Sequence, residues 1–145
     1  MSKIIDSLKN KSSSGFDEIS SKVLKRLKIQ LAITLTAVFN LILRSGIVPI
    51  KLKTAVICPI YKSGQDDIYT NYRPISLLTS ISKVLEKIVY NQLTEFISKN
   101  NILYNRQFGF RKGFQTTHAL MNLLQTLSKN KTVEKHTLAI FLDVK

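Results

Sequence analysis

Two cations bracket one short turn in this sequence. Lys62 closes the β-branched run Thr54–Lys62, and Arg73 lies in the return segment Asn71–Ser76, with the turn residues Ser63–Asp67 between them. If the two segments pair as an antiparallel hairpin, Lys62 and Arg73 flank the same turn and face the same anion. Lysine offers a mobile point charge and arginine a rigid fork that matches phosphate oxygens. As mere exposed cations on a hairpin they would add little to stability. A second group lies in Gln107-Phe108-Gly109-Phe110-Arg111-Lys112-Gly113. Its glycines let a backbone approach a strand closely and its cations suit backbone phosphates, while Phe108 and Phe110 read as packing anchors for the loop. The third is Asp143, a single carboxylate at the end of the apolar run Thr137–Asp143. A strand buried on both faces can present such a terminal carboxylate to a metal ion.

The elements that must position these groups follow from periodicity. Val23, Leu24, Leu27, Leu31 and Leu35, continued by Val38, Phe39, Ile42 and Leu43, predict two helices or one broken helix, closed by Gly46. Asp17 and Glu18 stand where acids favour a helix N-terminus. Lys22, Lys25, Arg26 and Lys28 crowd one part of that helix, as a solvated face or as phosphate contacts. Thr54–Lys62 reads as a strand, with Pro59 restricting it to an edge and Cys58 expected to be buried beside Val56 and Ile60. Ile81, Val84, Leu85, Ile88, Val89, Leu93, Phe96 and Ile97 predict a helix over 80–99. After the glycine-bearing loop, Thr116 or Thr117 caps a helix that buries Leu120, Leu123, Leu124 and Leu127. Residues 1–14 read as a flexible polar stretch before a single domain over 15–145.

Composition narrows the partners. Twenty-two Lys and Arg against nine Asp and Glu give a formal charge of +13, which usually marks a polyanionic partner, either nucleic acid or an anionic membrane surface. The one cysteine permits no intrachain disulfide framework and fits a reducing intracellular setting, cytoplasm or nucleus, rather than secretion. The apolar stretch 29–43 is interrupted by Gln30, Thr34, Thr36 and Asn40, so no membrane partner is expected. His118 and His136 have no acid or cysteine at ligand spacing and read as ordinary imidazoles.

Four ordered segments resemble the reverse transcriptases of non-LTR (LINE-type, jockey-like) retrotransposons. They are Ser14-Gly15-Phe16-Asp17, Pro59-Ile60-Tyr61-Lys62-Ser63-Gly64, Asn71-Tyr72-Arg73-Pro74-Ile75-Ser76-Leu77-Leu78 followed by Lys83 and Glu86-Lys87, and Gln107-Phe108-Gly109-Phe110-Arg111-Lys112-Gly113 with Thr116-Thr117. Phe141-Leu142-Asp143 is similar to the start of the first catalytic motif, while Phe16 and Leu52 depart from a usual proline and tryptophan. The resemblance implies an α+β fold, the fingers and beginning of the palm of a right-hand polymerase, with helices packed around a short antiparallel hairpin and truncated at the first palm strand. It implies that Lys62 and Arg73 bind the triphosphate of an incoming deoxynucleotide. Gln107, Gly109, Phe110, Arg111 and Lys112 would line the template path, and Asp143 would be a catalytic ligand of Mg2+. The partners would be an RNA template, a DNA primer and deoxynucleoside triphosphates.

Asp66-Asp67 does not stand in for the family's later aspartate pair, because it precedes Asp143 and occupies a turn. With one of three expected metal carboxylates, this chain alone is expected to bind nucleic acid without polymerising. Two other readings share most of these features. One is a non-catalytic basic nucleic-acid-binding module, and the other a helical interaction module, each derived from a degenerate element.

Overall fold

The computed structural model describes residues 1–133 and 136–142. The chain forms two compact units, residues 1–96 and 97–145.

The first unit is built on several helices and a hairpin. Helix α1 spans Ser2–Asp6, α2 Ser21–Arg26 and α3 Lys28–Ser45. The break between α2 and α3 falls at Leu27, whose ψ of 12° leaves the helical range. Ser20 caps α2 by accepting the Val23 N–H at 3.4 Å. Gly46 ends α3 in the left-handed region (φ 69°), with its N–H on the Ile42 carbonyl, as a helix-closing glycine should. A short turn of helix, α4 (Ile50–Lys53), leads into strand β1 (Ala55–Tyr61). Strand β2 (Tyr72–Leu78) returns antiparallel, in a register running from Ala55↔Leu78 to Tyr61↔Tyr72. Helix α5 (Ser80–Lys99) begins directly after it.

Seven residues form the core: Ile5, Leu24, Leu35, Phe39, Ile42, Val84 and Leu85. They come from α1, α2, α3 and the start of α5, so burial of one stripe from each helix holds the unit together. Helix α3 has the length and apolar content of a membrane span, beyond what the interrupted stretch 29–43 suggested. Its Leu35, Phe39 and Ile42 are nevertheless buried in this core.

Two close approaches fix the start of α5. Gly15 is buried against the β2–α5 junction, where an added Cβ would come within 2.7 Å of the Thr79 nitrogen. The Ser80 hydroxyl donates to the Ile19 carbonyl at 2.7 Å, across 61 residues of sequence.

The second unit carries α6 (Thr116–Thr132) after the loop of residues 104–115. Among the described residues, strands occur only in the β1–β2 ribbon, which gives an α+β fold with a two-stranded sheet.

Several expectations are corrected. Within the polar stretch 1–14, residues 2–6 form α1, because Ile5 finds a fully buried site against α2 and α3. Asp17 and Glu18 precede the helix instead of starting it: Asp17 accepts the Ile19 N–H at 3.2 Å, and Glu18 takes φ 56°. Cys58 is exposed, since neither face of the ribbon is covered along most of its length. The α6 leucines are not buried; Leu120 and Leu124 are 55% and 54% exposed. The cap of α6 is Gln115 and not Thr116 or Thr117, and its N–H donates to the imidazole of His118 in the first turn at 3.0 Å. Residues 137–142 are not a strand: no described strand lies alongside to take their backbone groups, and Leu138 and Leu142 are almost wholly exposed.

Candidate nucleic-acid interface

Strand parity decides where the hairpin cations point. The Lys62 N–H donates to the Asn71 carbonyl at 2.8 Å, so the ladder continues one step past Tyr61↔Tyr72. Arg73 stands opposite Ile60. Successive strand residues alternate faces, so Ile60 and Arg73 share one face, and Lys62, one residue past β1, falls on that face by continuing the alternation through its bond to Asn71. Lys62 and Arg73 are diagonal neighbours on it, a relationship that sets Cα atoms about 7–8 Å apart. Both are exposed, and neither joins an ion pair among the described residues.

The opposite face is aromatic and structural. Tyr61 and Tyr72 meet edge to face with centroids 5.6 Å apart. The Tyr61 hydroxyl donates to the Gly64 carbonyl, and the Tyr72 hydroxyl to the Asp66 carbonyl at 2.7 Å. Asn71, in the turn of 3-10 helix Tyr69–Asn71 that precedes β2 and not on the aromatic face, closes the turn by donating its side-chain amide to the Gln65 carbonyl at 2.8 Å. Gly64 takes φ 100°, and a side chain there would meet the Asn71 amide. Asp66 thus serves the turn through its backbone.

The loop of the second unit is organised around a residue that sequence reasoning passed over, Phe114. Phe108 packs edge to face on it at 5.8 Å, His118 does the same at 5.8 Å, and the Arg111 guanidinium carbon lies 4.6 Å from its ring centroid. A half-buried guanidinium stacked on an aromatic face is held in place while its N–H donors stay available. The Phe114 N–H donates to the Arg111 carbonyl at 3.2 Å, and Gly113 at φ 83° makes that turn possible. Gln107, Gly109 and Lys112 are exposed. Phe110 is no packing anchor: it is fully exposed at φ 58°, a conformation rare for a bulky side chain. The signal for Phe114 was its place directly after the turn glycine, within one helical turn of His118.

The basic face of α2 splits in two. Lys28 binds Asp6 at 2.7 Å and straps α1 to α3, whereas Lys22 and Arg26 are exposed. Asp143 lies outside the described residues. Among the described residues no three His, Cys, Asp or Glu side chains gather as a metal site.

Residues 60–145 match the family model described as reverse transcriptase (RNA-dependent DNA polymerase). The chain is 34% identical over 141 residues to the probable RNA-directed DNA polymerase from transposon BS of Drosophila melanogaster, covering 97% of this chain and 16% of that protein. It is 33% identical over 137 residues to the probable RNA-directed DNA polymerase from transposon X-element of the same fly, covering 94% of this chain and 15% of that protein. It is 30% identical over 142 residues to the RNA-directed DNA polymerase from mobile element jockey of Drosophila funebris, at 97% and 16% coverage. The chain therefore spans 15–16% of the length of these curated relatives. The likeness to them also takes in residues before position 60, which the family model does not reach.

Proposed function

Because this chain belongs to the reverse transcriptase (RNA-dependent DNA polymerase) family, we propose that it supplies the fingers and first palm edge of a retrotransposon polymerase. The parent reaction is template-directed transfer of deoxynucleotides from their triphosphates to a primer 3′-hydroxyl on an RNA template. Lys62 and Arg73 hold the triphosphate. The observation that carries this role is their diagonal placement on one exposed face of the hairpin, with the turn pinned from the other side. A mobile ammonium and a rigid guanidinium at that spacing can contact neighbouring phosphate groups together.

Gln107, Gly109, Phe110, Arg111 and Lys112 form the template-facing loop. Arg111, seated on Phe114, gives a fixed phosphate contact, and Lys112 a mobile one. Phe110 presents a bare ring on which an unpaired base can stack. Asp143 is the catalytic carboxylate that would bind Mg2+, whose chemistry is to activate the primer hydroxyl and steady the leaving pyrophosphate. Among the described residues no group of three His, Cys, Asp or Glu side chains stands ready to join it. Residues 1–145 by themselves bind RNA–DNA primer-template without extending it. They act inside the cell, in cytoplasm or nucleus, and not at a membrane.

The test is fluorescence anisotropy of the purified chain with a labelled RNA–DNA primer-template across a salt series, beside a Lys62→Ala/Arg73→Ala variant. Binding that falls steeply with salt and needs both residues supports the reading. Weak binding indifferent to them would favour an idle helical module and sink it.

A further inference from the structure

A cavity of about 240 Å³ lies in the first unit, away from the residues of the hairpin turn. Its lining includes Lys9, Lys11, Ser13, Ser21, Ser80 and Lys83. Three lysines therefore contribute to the lining of one small space, Lys9 and Lys11 from exposed positions, and no carboxylate is among the lining residues. None of the three lysines joins an ion pair among the described residues. Lys83 is half-buried, so its charge is less screened by water than that of a lysine on the open surface.

The scaffold that brings these lysines together is buried and specific. Ser21 is 6% exposed, and its hydroxyl meets both lysine-bearing positions. It donates to the Lys9 carbonyl at 2.8 Å and accepts the Lys11 N–H at 3.0 Å. That fixes residues 9–11 against the start of α2. Ser80 is 2% exposed and ties the start of α5 to Ile19. Gly15, pressed on Thr79, lets the intervening loop close over the same junction. Lysines far apart in sequence are thus held at one cavity by hydrogen bonds that do not use their own charges.

Like charges around a confined space repel, and an anion bound among them would relieve that cost. The cavity is many times the roughly 10–15 Å³ that one water needs on the same measure, which leaves room for a phosphate group with part of its hydration shell. We propose that the Lys9–Lys11–Lys83 cavity is a phosphate-binding site, built from residues other than the hairpin pair. Its ligand is a phosphate or diphosphate group, either free or at the end of a nucleic-acid strand.

The experiment titrates the full chain with inorganic pyrophosphate and follows backbone amides by NMR. Saturable shifts confined to residues 9–14 and 79–83 are expected. A Lys11→Gln/Lys83→Gln variant should bind about tenfold more weakly or worse, and Lys83→Arg should keep binding. Lys62→Ala/Arg73→Ala should leave this site unchanged, so failure here is separable from failure of the hairpin's role. Retained amide dispersion in each variant guards against misfolding. Competition by a 5′-phosphorylated but not a 5′-hydroxyl oligonucleotide would support the site with a strand end as the source. Pyrophosphate binding with no competition from either would support it with a free ligand. Absence of saturation, or shifts that survive the Lys11→Gln/Lys83→Gln change, would overturn the proposal.

Discussion

The Tyr72 hydroxyl reaches back to the carbonyl of Asp66 at 2.7 Å, which locks the turn to the strand that follows it. That bond lies on the face opposite Lys62 and Arg73, so it sets their spacing without competing for the phosphate proposed to bind them. Removing the hydroxyl in Tyr72→Phe keeps the aromatic pair and deletes one hydrogen bond, a loss of about 1 kcal/mol. Hydrogen exchange should show it as faster exchange at the Lys62 N–H, which sits on the neighbouring Asn71 carbonyl. Unchanged exchange would mean that the ring contact alone holds the turn.

Arg111 and Lys112 should separate cleanly by substitution. Arg111→Lys keeps the charge but loses the planar stack on Phe114, roughly 0.5–1 kcal/mol. Lys112→Ala removes one mobile charge and should lower the slope of log affinity against log salt by about 1. Salt-series binding to single-stranded RNA checks both. A slope unchanged in Lys112→Ala would take that residue off the template path.

Phe110→Gly relieves a bulky residue held at φ 58°. Chemical denaturation should show stability held or raised by up to about 1 kcal/mol, since the strain removed outweighs a ring that packs on little. Affinity for single-stranded RNA should fall at the same time, by about 1–3 kcal/mol if one base stacks there. Loss of stability instead would reveal a structural use for the ring.

Gly15→Ala tests the close approach at the β2–α5 junction. Its Cβ would sit 2.7 Å from the Thr79 nitrogen and 2.9 Å from its Cα, and backbone cannot swing aside as a side-chain tip can. A destabilisation of about 1–3 kcal/mol in a urea melt is expected.

The Lys28–Asp6 strap is exposed at both ends, 35% and 48%, and so should matter little. Asp6→Asn should cost at most about 1 kcal/mol at low salt. The difference from the parent chain should shrink as salt is raised.

Much of this was legible in the sequence because it is local. Gly46 ends α3, Ser63–Asp67 lie in the hairpin's connection, which runs on through a turn of 3-10 helix to Asn71, and α5 runs over the residues its stripe marked out. The diagonal of Lys62 and Arg73 needed only a register, and the turn supplied it. What escaped depends on partners distant in sequence. Five residues of α1 are too few to be stable as an isolated helix, and they fold here because Ile5 is buried. Cys58 alternates like a buried strand residue, but alternation says only that a strand has two faces, not that either is covered. The apolar run 137–142 has the composition of a buried strand and no described neighbour to pair with. Arg111 was visible as a cation, while its seat on Phe114 depends on a left-handed turn at Gly113.

The bond from Ser80 to Ile19 also sets an order of events during synthesis. The carbonyl of Ile19 leaves the ribosome 61 residues ahead of the hydroxyl that will satisfy it. At roughly 5–20 residues per second, that interval is about 3–12 s. Throughout it, the loop around Gly15 has no β2–α5 junction to rest on, and for its later half α1, α2 and α3 have all been made. The N-terminal helices therefore wait, half assembled, for the first turn of α5, and this is the window in which a nascent-chain chaperone would have most to protect.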